Sequence, residues 1–154
     1  MDYNLLKWLH ILSSTVLFGT GLGSAYYMFS VSRTGDARAV AMVVRYVVRA
    51  DRWFTAPTMI FQPLSGFYLA HLAGYPLGAE WIAGSMALYL LALVCWLPVV
   101  WMQIRMRDLA RQAANEARPL PARYRHFLRW WTALGTVALF ALVAVFYLMV
   151  EKPV

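Results

Sequence analysis

Residues Trp8–Phe29 read WLHILSSTVLFGTGLGSAYYMF, a run without a single Asp, Glu, Lys or Arg. A helix rises about 1.5 Å per residue, so this run is long enough to cross the roughly 30 Å hydrocarbon layer of a bilayer. It carries one histidine, His10, near its outer end. An ionisable group at membrane depth is costly and is kept there for a partner or a function. Helical spacing puts Ser13, Ser14 and Leu17 on the same side as His10.

The rest of the chain has the same character. Hydrophobic residues make up 62% and charged residues only 14%, against about 25% charge in an ordinary water-soluble domain. Further charge-free runs predict spans over about 53–73, 81–104 and 130–150, to follow a first span over about 5–29. The expected fold is all-α, a single four-transmembrane-helix bundle. The opening MDYNLLK is a poor basic leader and the apolar run after it is long for a signal peptide, so a retained span is expected. The lone cysteine, Cys95, lies inside the third span, which excludes an intramolecular disulfide and a CxxC metal or redox motif; packing is its expected role.

Charge sets the expected orientation. Five arginines, Arg33, Arg38, Arg45, Arg49 and Arg52, lie between the first two spans. Seven more, Arg105, Arg107, Arg111, Arg118, Arg123, Arg125 and Arg129, lie between the last two, which makes twelve of the fourteen basic residues. Only Lys7 and Lys152 fall elsewhere. The positive-inside rule then places both long segments in the cytoplasm and both termini outside. The net charge of +7 is a topology signal, and with no reading motif beside it nucleic-acid binding is not expected.

Between the first two spans, residues 36–52 repeat Arg38, Arg45, Arg49 and Arg52 on one face and Val40, Val43, Val44, Val47 and Val48 on another. This pattern predicts a cytoplasmic interfacial amphipathic helix, its arginines facing anionic lipid headgroups and its valines the acyl chains. In the first span Gly19 and Gly23 have GxxxG spacing, with Gly21 between them, which predicts close packing within the monomer. A homo-oligomer is the alternative use of that stripe. Gln62 and Pro63 sit near the middle of the second span, where the glutamine needs a hydrogen-bond partner on a neighbouring helix and the proline, which lacks a donor and clashes with the carbonyl a turn earlier, is expected to kink the helix. The third span is expected to run on past Gln103 and Arg105 as a longer helix, and His126 to be a surface residue among cations.

His10 begins the first span and His71 ends the second, which runs back, so the two histidines reach similar depth in the outer leaflet. Two neutral imidazoles from different helices suit the axial positions of a haem b, and they also suit copper. A ligating imidazole donates its second nitrogen proton to a nearby acceptor, and Ser13 or Ser14 is the expected partner at His10. Met149 or a water is the expected substitute should His71 not ligate. The alternative is a cofactor-free scaffold or small transport subunit in which His10 hydrogen-bonds across helices.

Leu5-Leu6-Lys7-Trp8-Leu9-His10-Ile11-Leu12, the Gly19–Gly23 segment, Ala50-Asp51, Phe54-Thr55-Ala56-Pro57, Gln62-Pro63-Leu64-Ser65-Gly66 and Trp96-Leu97-Pro98 with Gln103 together resemble a bacterial family of predicted integral membrane proteins of unknown function. That resemblance implies the bacterial inner membrane. A more distant one, carried by the Leu-His-Ile opening, Trp81, Arg107-Asp108-Leu109, the Tyr124–Arg129 region and Lys152-Pro153, is to the HemJ-type protoporphyrinogen oxidase. It implies a small haem b-binding membrane oxidoreductase or electron-transfer protein, with a first-helix ligand at His10 and a quinol or porphyrin-like small molecule as partner. The His-x-Lys of that enzyme's third helix falls on Ala83 and Ser85. The resemblance therefore implies a haem-binding relative rather than the same reaction. The orientation is testable directly. Reporter fusions at Gly35 and Asn115 are expected to read cytoplasmic and a C-terminal fusion external, and a cytoplasmic C-terminus would contradict it.

Overall fold

In a computed structural model, which describes residues 2–152, the chain forms helices α1 (Tyr3–Ser32), α2 (Ala37–Ala50), α3 (Ala56–Leu72), α4 (Glu80–Asn115) and α5 (Ala122–Glu151), with a π-helical turn at Asp51–Thr55 and no strand among the described residues. Three helices, α1, α4 and α5, are long and apolar enough to cross a membrane. At 17 residues, α3 spans only about 25 Å by itself. The backbone stays helical from Ala50 through the π turn into Ala56, so α2, the turn and α3 make one unbroken rod. What the sequence divides into an interfacial helix and a second span is thus a single element.

The join has a physical cause. Pro57 has no N–H to give to the carbonyl of Trp53, and its ring would crowd that oxygen. The turn widens, and the Ala56 N–H bonds the Asp51 carbonyl five residues back. Asp51 and Thr55 are both brought to the buried side, where the Thr55 hydroxyl donates to Asp51 Oδ1 at 2.9 Å. At the other end of α2, Gly35 takes the left-handed φ of 74° that the turn requires, and the Asp36 carboxylate caps the amides of Arg38 and Ala39.

Against the expectation for an interfacial helix, the valine face of α2 is not left for lipid. Val40, Val44 and Val47 are buried in a cluster with Met102, Met106, Ala110 and Ala113 of α4, Met28 of α1, and Tyr124 and Trp131 of α5. The polar tail of α4, which does run on past Gln103 as expected, is the surface those valines cover. Amphipathicity marks a helix with one apolar face and does not say whether protein or lipid meets it. Tyr124 closes this core by sharing a 2.6 Å hydrogen bond with Ser32. The glycine stripe departs from expectation too, since a Cβ added at Gly19, Gly21 or Gly23 would meet nothing within 4 Å. These glycines face open space instead of a neighbouring helix.

Toward the opposite end, the proline of α3 is answered by α4. Pro63 cannot bond the Met59 carbonyl one turn back, and the Tyr89 hydroxyl donates to that oxygen. A freed carbonyl at membrane depth has no water to turn to, so the tyrosine ties the helices together where the ladder is broken. Cys95 is buried within α4, in keeping with a packing role.

The burial of the α2 face is open to test. Met106 is fully buried and Met42 is 61% exposed. Met106→Ala is expected to cost about 2–5 kcal/mol in denaturant unfolding, and Met42→Ala within about 0.5 kcal/mol. Equal, small effects would mean that α2 leaves α4.

Candidate functional site

His10 lies at the contact of α1 with α3 and is buried. Its Nδ1 is 2.7 Å from Ser65 Oγ. The Ser65 hydroxyl has one proton, which it gives to the Phe61 carbonyl at 2.7 Å, with the Gln62 carbonyl at 3.2 Å. With that proton on the carbonyl, the hydroxyl would accept from His10 and the neutral ring would carry its proton on Nδ1 and a lone pair on Nε2; donation to Nδ1 would give the other tautomer. Gln62 completes the contact by donating from Nε2 to the His10 backbone carbonyl at 3.0 Å. This is the interhelical partner expected for that glutamine. Gly66, the next residue on this face, lets the ring lie close against α3: an added Cβ there would stand 3.4 Å from His10 Cε1.

Ser13 and Ser14 do not hold the imidazole. The Ser14 hydroxyl bonds the Ile11 carbonyl in its own helix at 2.7 Å, and Ser13 Oγ is buried without a partner. A serine one turn away on the same helix finds its own backbone more readily than a ring pointing sideways. Ser65 comes from the facing helix, three residues after Gln62, and that spacing was the available signal.

His10 lines a cleft of about 770 Å³ between α1, α3 and α5, which also takes in Ser14, Gly66, Trp81, Phe146 and Met149. That volume lies within the roughly 300–1,000 Å³ usual for small-molecule sites. His71 is not among the residues lining it and is exposed. It follows Ser65, which is level with His10, by six residues, about 9 Å further along α3 and about 240° around it, so the two histidines share neither the expected depth nor one site. His126 is exposed, as expected.

Sequence reading missed the rim. Lys7 and Lys152 both line the cleft. Lys152 Nζ lies 5.1 Å from the Tyr75 ring centroid and 6.0 Å from that of Trp81, and Lys7 Nζ lies 5.9 Å from that of Tyr3. These are the two basic residues that fall outside the arginine-rich segments, and their departure from the charge pattern was the signal. The site thus combines an apolar chamber, an imidazole with a free nitrogen, a thioether and two cations at the mouth.

No curated protein and no solved structure matches the chain, so the likeness to the protoporphyrinogen oxidase rests on the quoted residues alone. A family model described as "Predicted integral membrane protein (DUF2269)" matches residues 4–153. The chain belongs to that family of integral membrane proteins of unknown function.

Proposed function

We propose that this protein is a haem b-binding membrane oxidoreductase or electron-transfer protein of the bacterial cytoplasmic membrane, with the π turn and α3 together serving as a fourth span and the His10 cleft opening to the outside. The observation that carries the reading is the state of His10. Its Nδ1 is within hydrogen-bond distance of Ser65 Oγ, its Nε2 has no hydrogen-bond partner among the described residues, and we take the Ser65 proton to lie on the Phe61 carbonyl, which puts the ring proton on Nδ1. That is the arrangement of a ligating histidine, in which a bond to one nitrogen fixes the ring and raises the basicity of the other.

The donor set of the cleft suits the group: His10 and the Met149 thioether, which lines the same cleft where His71 does not, are the side chains that would hold the iron. Lys7 and Lys152 would pair with the propionates at the mouth. Haem b would supply a one-electron carrier; the chain orients the imidazole through Ser65, excludes water with Phe146 and Trp81, and neutralises carboxylates with the two lysines. The donor and acceptor are membrane-soluble small molecules of quinol or porphyrin-like chemistry.

One observation favours a second reading. Ser65 and Gln62 already satisfy Nδ1 and the backbone carbonyl of His10, so the same cluster can act as interhelical glue in a cofactor-free scaffold. Such bonds are worth about 1 kcal/mol in a membrane.

A pair of substitutions separates the two. His10→Gln keeps a side chain able to bond Ser65 but cannot ligate iron, so in haem-replete cells it should yield folded, colourless protein beside a coloured wild type. Met149→Leu should keep the haem and alter its reduced spectrum, and Ser65→Ala should loosen it. Colourless wild type, with His10→Ala losing thermal stability that His10→Gln restores, would leave only the scaffold.

A further inference from the structure

At the arginine-rich end, α2 and α4 pack side by side, and an open cleft of about 530 Å³ lies along their seam. Ala41, Met42 and Arg45 of α2 line it together with Arg107 and Arg111 of α4. The packing brings these cations to one place. Val44 shares a buried cluster with Met106 and Ala110, so the residues that follow each of them, Arg45, Arg107 and Arg111, emerge together at the rim. Arg107 and Arg111 are four apart on one helix face, where like charges repel. Asp108 answers Arg107, its Oδ1 standing 2.8 Å from Nη2 and 2.9 Å from Nε. The Arg45 guanidinium lies 5.1 Å from the ring centroid of its neighbour Tyr46 and 3.4 Å from that hydroxyl. Neither Arg45 nor Arg111 has an ion pair among the described residues. Three cations against one carboxylate leave two positive charges in the cleft unanswered.

We propose that this cleft binds a phosphate-bearing anion, and that the anion is the headgroup of a membrane lipid with two phosphodiester groups. Guanidinium forks match phosphate oxygens and are weakly hydrated, which suits them to hold such a group at an open surface. Depth favours a lipid over free phosphate. The charge-free run of α4 ends at Ile104. Arg107 lies about 4–5 Å and Arg111 about 10 Å further along the helix, so the pair brackets the headgroup layer, which extends about 5–8 Å beyond the hydrocarbon core. Charge favours two phosphates. Each phosphodiester carries one negative charge, and two match the cleft, whereas a zwitterionic headgroup brings a cation of its own among the arginines. Basic pockets between helices at this level suit lipids of that kind. Ala41 and the exposed Met42 add an apolar strip against which the glycerol and the first acyl carbons can lie. The valine face of α2 is covered by protein, and the arginine at its edge is what the helix offers to lipid. The proposal is independent of haem at His10.

The test uses the full chain in detergent micelles, with native mass spectrometry to follow bound lipid. The probes are tetraoleoyl cardiolipin, dioleoylphosphatidylcholine and inorganic phosphate. Cardiolipin should saturate one site per chain at concentrations where phosphatidylcholine does not bind. Arg107→Gln combined with Arg111→Gln should weaken cardiolipin binding at least about tenfold, and Arg45→Gln, at an exposed position on the other helix, by about threefold. Asp108→Asn, which removes the competing carboxylate, should strengthen it. Arg125→Gln, which takes a cation from the same end of α5 but away from the cleft, should leave it unchanged. Equal affinity for phosphatidylcholine, full binding in the Arg107 and Arg111 double variant and in Arg45→Gln, or an equal loss in Arg125→Gln would each overturn the proposal. Displacement of cardiolipin by inorganic phosphate at matched ionic strength would give the cleft to the free anion and overturn the lipid assignment.

Discussion

One serine proton organises the junction on which the functional half of the molecule rests. The Ser65 hydroxyl stands 2.7 Å from both the Phe61 carbonyl and His10 Nδ1, and in the proposed arrangement it gives its hydrogen to the carbonyl and accepts from the ring. That direction fixes the imidazole tautomer, holds α1 against α3, and leaves Nε2 available beside the cleft. Reversing it would bring the ring proton to Nε2 and leave a donor where a ligand is needed. Gln62 reinforces the junction from one turn earlier, and Gly66 makes room for the ring.

The same helix shows how broken backbone ladders are repaired at membrane depth. Pro63 strands the Met59 carbonyl and Tyr89 of α4 answers it; Pro57 strands the Trp53 carbonyl and the π turn widens around it. Each repair creates a fixed feature, a tie between α3 and α4 in the first case and a pair of buried polar residues, Asp51 and Thr55, in the second. The prolines thereby help to place both polar sites, and the helices between them remain continuous.

Much of this was legible in the sequence where local chemistry decides the outcome. The charge-free runs gave the helical fold, Gln62 announced an interhelical bond, and His10 stood out as an ionisable group with no reason to be among leucines. What was not legible depended on rotation about helix axes and on which neighbour each face meets. His71 lies about 9 Å beyond the level of His10 along α3 and turns away, while Met149, Lys7 and Lys152 line the cleft from near the outer ends of α1 and α5. The valines of α2 looked ready for lipid because their partners on α4 follow a polar-looking tail whose buried residues, Met106 and Ala110, are spaced among arginines. The glycines of α1 gave the right spacing for close approach, but spacing cannot say that a partner is there. Asp51 and Thr55, one turn apart in an otherwise basic segment, were a readable signal that the arginine pattern obscured.

The most direct measurement of the central claim is the protonation pattern of the His10 ring. With ¹⁵N-labelled histidine in protein whose other two histidines are replaced by glutamine, the cofactor-free form should show Nδ1 as the protonated nitrogen and Nε2 as the bare one. On adding haem, the Nε2 resonance should be the one that moves. A proton on Nε2 with a bare Nδ1 would mean that Ser65 donates to the ring, and the account of His10 as a prepared ligand would be wrong.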